Sequence, residues 1–200
     1  MRRPDASVRR SHTMTIMGTV RLAAVTYQAG FQIDNFLTRV ANRLRADQVN
    51  LAGVLQENTS AAAGICSKMS VIDLASRTRF QISQDLGSQA LGCRLDARGL
   101  VDMAALLDRS PAHDIELLML NKFGKAEAEG GGLRPVFTKA IEASIPIVTA
   151  VRTTYAEAWS QFHGRLAIDL SPDFDAVLRW CHDSIRELRT VRQINPTIDH

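Results

Sequence analysis

A chain of 200 residues with 46% hydrophobic and 22% charged residues has the composition of a soluble globular protein with one substantial core. Its net charge of +3 is too small to argue for nucleic-acid binding, and Arg2, Arg3, Arg9 and Arg10 supply much of it. No stretch approaches the roughly 20 consecutive apolar residues of a membrane span, and Cys66, Cys93 and Cys181, in no CxxC spacing, argue against a disulfide framework or a zinc knuckle.

Residues 1–17 are basic and carry no apolar run of signal-peptide length, so they read as a disordered leader or a start placed too far upstream. The cytoplasm is the expected compartment. A single α/β domain is predicted over 18–190, with a frayed tail over 191–200. Residues 20–27 (VRLAAVTY) form an almost wholly apolar run and predict a central strand. A loop over 28–32 follows, with Asp34 as the expected N-cap of a helix whose apolar stripe is Phe36, Leu37, Val40, Ala41 and Leu44. Residues 49–56 predict a second strand, completing a βαβ unit with a right-handed crossover.

Residues 57–64 are small and polar and read as a loop. Residues 68–75 and 79–83 predict a hairpin, 85–98 an irregular segment and 99–107 a helix. The run from Ile115 to Leu120 predicts a buried parallel strand. Its carboxyl end switches to Asn121, Lys122, Phe123, Gly124 and Lys125, and ligands of open α/β sheets bind at such ends. Beyond Gly130, Gly131 and Gly132, a helix is predicted over 133–144 with Pro135 in its first turn, then a strand over 146–151. A short helix over 155–162 and an edge strand over 166–170 come next. Ser171 and Pro172 are the expected N-cap and first position of a last helix striped with Phe174, Val177, Leu178, Cys181, Ile185 and Leu188. This alternation predicts a three-layer α/β fold, a mostly parallel sheet with flanking helices.

A phosphate loop after the first strand needs GxxxxGK[ST]. Residues 27–35 (YQAGFQIDN) hold one glycine, no lysine and no Ser or Thr, and Asp34 would repel phosphate near the helix start. Asn121-Lys122 matches the beginning of the guanine-reading NKxD, but Gly124 stands where the carboxylate belongs.

Lys122 offers a point charge and Asn121 a donor, which with glycine-rich backbone suit an oxyanion such as phosphate, sulfate or molybdate. Pairing of Lys122 or Lys125 with Glu127 or Glu129 in a structural cluster is an equally good reading. Arg94 is either an anion clamp or the local partner of Asp96. Cys66 and Cys93 read as buried thiols ahead of a redox pair or soft-metal site. Cys181 reads as core, His113, His163 and His182 as ordinary, and Trp159 and Phe162 as packing. The site candidates in order are Lys122, Asn121, Arg94 and Lys125.

The segments LAAVTY, VNLAGVLQ, the run from Cys66 through IDL, ISQDLG, GCRLD, LLMLNKFGKAEAEGGGL and IPIVTAV, followed by Trp159, resemble the bacterial domain-of-unknown-function family 2478, over about residues 20–170. Its members are often encoded near molybdate-transport genes, and its element order is similar to that of phosphate-loop nucleoside-triphosphatases. In those enzymes the strand before Asn121 ends in an acidic DEIG-type Walker B; here Asn121, Lys122, Phe123 and Gly124 stand in its place. The resemblance thus implies the scaffold with degenerate Walker motifs and argues against ordinary hydrolysis. The expected function is an accessory or regulatory protein binding a small anion or nucleotide, in molybdenum or other oxyanion handling. Its partners would be transport or regulatory proteins, without nucleic acid or membrane. A nucleoside-triphosphatase with a non-standard site and a ligand-free protein–protein adaptor are the alternatives.

Overall fold

The computed structural model describes residues 21–58, 69–81 and 114–194. They form seven strands: β1 Leu22–Tyr27, β2 Leu51–Asn58, β3 Met69–Asp73, β4 Arg79–Gln81, β5 Leu117–Leu120, β6 Ile147–Arg152 and β7 Ala167–Leu170. The helices are α1 Ile33–Ala46, α2 Lys125–Ala128, α3 Arg134–Glu142, α4 Ala156–His163 and α5 Phe174–Ile194. One sheet runs β4-β3-β2-β5-β6-β1-β7. Every pairing from β2 to β7 is parallel, whereas β3 and β4 form the predicted hairpin and add to β2 antiparallel.

The apolar runs of β1, β5 and β6 are buried because helices cover both faces of the sheet. On one face α1 and α5 pack over Val25, Leu55, Leu117, Met119, Val148 and Ala150. On the other, α3 and α4 pack over Leu118, Leu120, Ile147 and Val151. The predicted stripes of α1 and α5 are the faces that do this, and each large apolar side chain so buried contributes about 1.5–3 kcal/mol relative to exposure. β7 pairs with β1 alone and is the expected edge strand.

Several boundaries differ from expectation. Asp34 is not the N-cap of α1: Gln32 is, without a side-chain capping bond, because starting the helix at Ile33 buries that residue. Asp34 is thereby placed in the first turn. Nor does Ser171 cap α5; the Asp173 Oδ1 accepts the Ala176 N–H at 2.7 Å, one turn into the helix. The C-terminal helix also continues past the expected fraying point to Ile194, where Arg192 donates to the Ile115 carbonyl at 3.0 Å. The one-turn helix α2 was not expected. Among the described residues no helix is long and apolar enough to cross a membrane.

Candidate functional site

The parallel register sets the carboxyl ends of β1, β6 and β5 side by side: Tyr27 lies opposite Arg152, and Leu120 is followed by Asn121 and Lys122. The 28–32 loop therefore meets the end of β5 over the top of β6. Thr153 Oγ1 donates to Gln28 Oε1 at 3.1 Å and ties the first two of these ends together. Gly30, at φ +88°, lets the chain reverse into α1, and a Cβ added there would meet nothing within 4 Å.

Lys122 reaches across this edge to the first turn of α1. Its Nζ lies 3.0 Å from Asp34 Oδ1 and 3.4 Å from Oδ2, with side-chain exposures of 28% and 12% for the two residues. Asn121 is buried and donates its amide to Gln56 Oε1 at 3.3 Å. Among the described residues its own Oδ1 is buried without a hydrogen-bond partner, a costly arrangement for a carbonyl oxygen. Burial, then the negative charge of Asp34, raises the Tyr27 phenol above its ordinary pKa, and Arg152 opposes the rise. Tyr27, Asp34 and Arg152 thus share one electrostatic neighbourhood. Arg152 makes no ion pair among the described residues.

Of the four predicted site residues, Asn121 and Lys122 stand together on this edge. Lys125 does not join them; on α2 its side chain is 76% exposed, with Glu129 3.7 Å away. Glu127 pairs with neither lysine. It is buried, and its two carboxylate oxygens accept the backbone N–H groups of Gly124 and Leu133, each at 2.9 Å. It is a structural cap. Arg94, Asp96, Cys66, Cys93, His113 and the predicted 99–107 helix lie outside the described residues.

Trp159 and Phe162 pack on Phe123, with ring centroids 5.2 Å and 5.4 Å away, and the indole N–H donates to Asp169. Cys181 is buried, and burial pushes its thiol up to about 12. His163 Nδ1 accepts the Ala167 N–H, and His182 lies 3.2 Å from Asp47. Among the described residues no three His, Cys, Asp or Glu side chains gather in a way that would hold a metal ion.

The partners Asp34 and Gln56 were missed because they sit 88 and 65 residues from Lys122 and Asn121. Arg152 was missed because it closes an apolar strand and looks like an ordinary surface cation. Only the strand order brings these groups together. Chemically, the edge presents two cations, one carboxylate and one unsatisfied amide oxygen.

The fold is shared with two solved structures. It matches a human cancer-related nucleoside triphosphatase with a TM-score of 0.57 and 13% identity, covering 85% of this chain and 98% of that one. It matches THEP1 from the hyperthermophile Aquifex aeolicus with a TM-score of 0.56 and 12% identity, covering 82% and 95%. In sequence, 173 residues (86% of this chain) are 34% identical to a molybdenum import ATP-binding protein, ModC 2, of Bradyrhizobium diazoefficiens. The chain spans only 19% of the length of that protein. The profile described as "Protein of unknown function (DUF2478)" matches residues 22–180, so the chain belongs to that family.

Proposed function

We propose that this chain is an accessory or regulatory module that binds a small oxyanion, free or as the phosphate end of a nucleotide, at the edge formed by Asp34, Asn121, Lys122 and Arg152. The observation that carries the reading is the Lys122–Asp34 pair on the carboxyl edge of the sheet, beside a buried amide oxygen with no donor among the described residues. A cation held in place by one internal carboxylate keeps two further donors for a ligand. The similarity to part of a molybdenum import ATP-binding protein supports a role in molybdenum or other oxyanion handling, with transport or regulatory proteins as partners in the cytoplasm. Arg94 is retained as a proposed further contact, whereas the exposure of Lys125 argues for a peripheral part at most.

A nucleoside-triphosphatase with a non-standard site is the second reading, favoured by the fold shared with a human cancer-related nucleoside triphosphatase. Magnesium-dependent phosphate release distinguishes it.

The test is a thermal-shift panel with ATP, GTP, phosphate, molybdate, tungstate and sulfate, with and without magnesium, on wild type and Lys122→Ala. A ligand at about 100 times its Kd adds roughly 2.7 kcal/mol, a rise of about 5–10 °C for a domain of this size. The expected result is a shift that Lys122→Ala abolishes. No shift from any ligand would move the reading to the ligand-free adaptor.

A further inference from the structure

The acceptors on this edge say which oxyanions it admits. Lys122 is held by a carboxylate whose side chain is only 12% exposed, and the neighbouring Asn121 adds a buried carbonyl oxygen that receives no hydrogen bond from the described residues. An anion that docks on the remaining Lys122 donors comes within one ammonium group of the Asp34 oxygens. If the anion has only acceptor oxygens, lone pairs face lone pairs and a negative charge approaches a carboxylate that is largely shielded from water. If it carries an O–H, that hydrogen is donated to the acceptor and the contact becomes a charge-assisted hydrogen bond.

Resting on the anion-site reading above, we infer that Asp34 makes the edge selective for oxyanions that keep a proton at neutral pH, the phosphate type, against fully deprotonated ones such as sulfate and molybdate. The Lys122–Asp34 pair is then a paired donor and acceptor matched to the P–O⁻ and P–OH of one ligand. Molybdenum handling would be linked to the module through a phosphate-type signal, with molybdate itself turned away.

The discriminating experiment is isothermal titration calorimetry at neutral pH, in EDTA so that no divalent cation can bridge the two negative charges. Inorganic phosphate and arsenate, which retain a proton there, are compared with sulfate and molybdate, which do not. In wild type, phosphate and arsenate bind more than about tenfold tighter, since a site built to hydrogen-bond a hydroxyl rejects the analogue lacking it. In Asp34→Asn, whose amide both donates and accepts, the four anions converge to within about threefold as sulfate and molybdate gain affinity. Asp34→Ser gives the same convergence with a smaller side chain, and a thermal melt of each variant without ligand establishes that it is folded. Sulfate or molybdate binding wild type as tightly as phosphate overturns the inference and leaves the anion site standing. A preference for phosphate that survives in both folded variants also overturns it. Binding of none of the four to wild type removes the anion site and the inference with it.

Discussion

Glu127 is the residue on which the turn after the candidate site depends. Its carboxylate accepts the N–H of Gly124, which opens α2, and the N–H of Leu133, which opens α3, so one side chain fastens both helix starts. Glu127→Ala strands two backbone donors, of which that of Leu133 is buried. At about 1–3 kcal/mol for each unsatisfied group the loss is roughly 2–5 kcal/mol. For a domain of this size that lowers Tm by about 5–15 °C. Glu127→Gln keeps one acceptor but turns an NH2 toward the other donor, and falls between wild type and Ala. Gly132 supplies the control. It sits at φ +63°, and a Cβ there would stand 2.1 Å from Glu127 Oε1. Gly132→Ala therefore displaces the carboxylate in wild type, whereas in Glu127→Ala the left-handed backbone cost of about 1–2 kcal/mol and a tight 3.2 Å approach to Ala126 Cβ remain. A double-mutant cycle by thermal or urea unfolding should show this coupling. A loss of less than about 2 °C in Glu127→Ala, or equal costs of Gly132→Ala in both backgrounds, would refute the capping argument.

Gly53 lies within β2 at φ +107°, and a Cβ there would meet the backbone oxygen of Met119 at 2.0 Å; Gly53→Ala should cost more than about 3 kcal/mol in urea unfolding by prising β2 from β5. Burial opposes ionisation of Glu116, but hydrogen bonds from Arg189 and the Asn50 amide outweigh it and hold its carboxyl below the ordinary 4.5. The stability it contributes is present above that value and is lost as pH falls through the lower folded value. Glu116→Gln should therefore flatten the acid limb of a Tm-against-pH profile, and an unchanged limb would contradict the assignment. In a Cys66→Ser/Cys93→Ser background, Cys181, with its thiol at about 12, should resist thiolate-directed labelling at pH 8 until the protein unfolds. Labelling at the rate of a free thiol would show that the α5 core is open.

The central strands β1, β5 and β6 were legible because they are buried on both faces and so leave continuous apolar runs, and α1 and α5 because their apolar stripes keep helical periodicity; the order of the strands was not. Periodicity reports which face is buried and says little about where a helix starts. Asp34 has the chemistry of an N-cap, yet burying Ile33 starts α1 earlier and turns that carboxylate toward Lys122. Glu127 looked like a lysine partner only because Lys122 and Lys125 are its neighbours in sequence; the pair with helical i,i+4 spacing is Lys125–Glu129. The glycine turn at 130–132, two of whose residues take positive φ, folds α3 back over it and makes it a buried cap. α2 is a single turn, shorter than any apolar period that would disclose it. Lys122 and Asn121 were legible as an abrupt polar ending to an apolar strand, whereas their partners became visible only once β6 lay between β1 and β5.

The central claim is that the edge carrying Lys122 holds an anion, and NMR titration of the isotope-labelled protein with inorganic phosphate locates the binding directly. The account predicts saturable shift changes centred on Gly30, the Asn121 side-chain amide, Lys122 and Arg152, all absent in Lys122→Ala. Changes centred instead on the arginine-rich surface of α5, around Arg179 and Arg186, or no saturable change at any resonance, would contradict it.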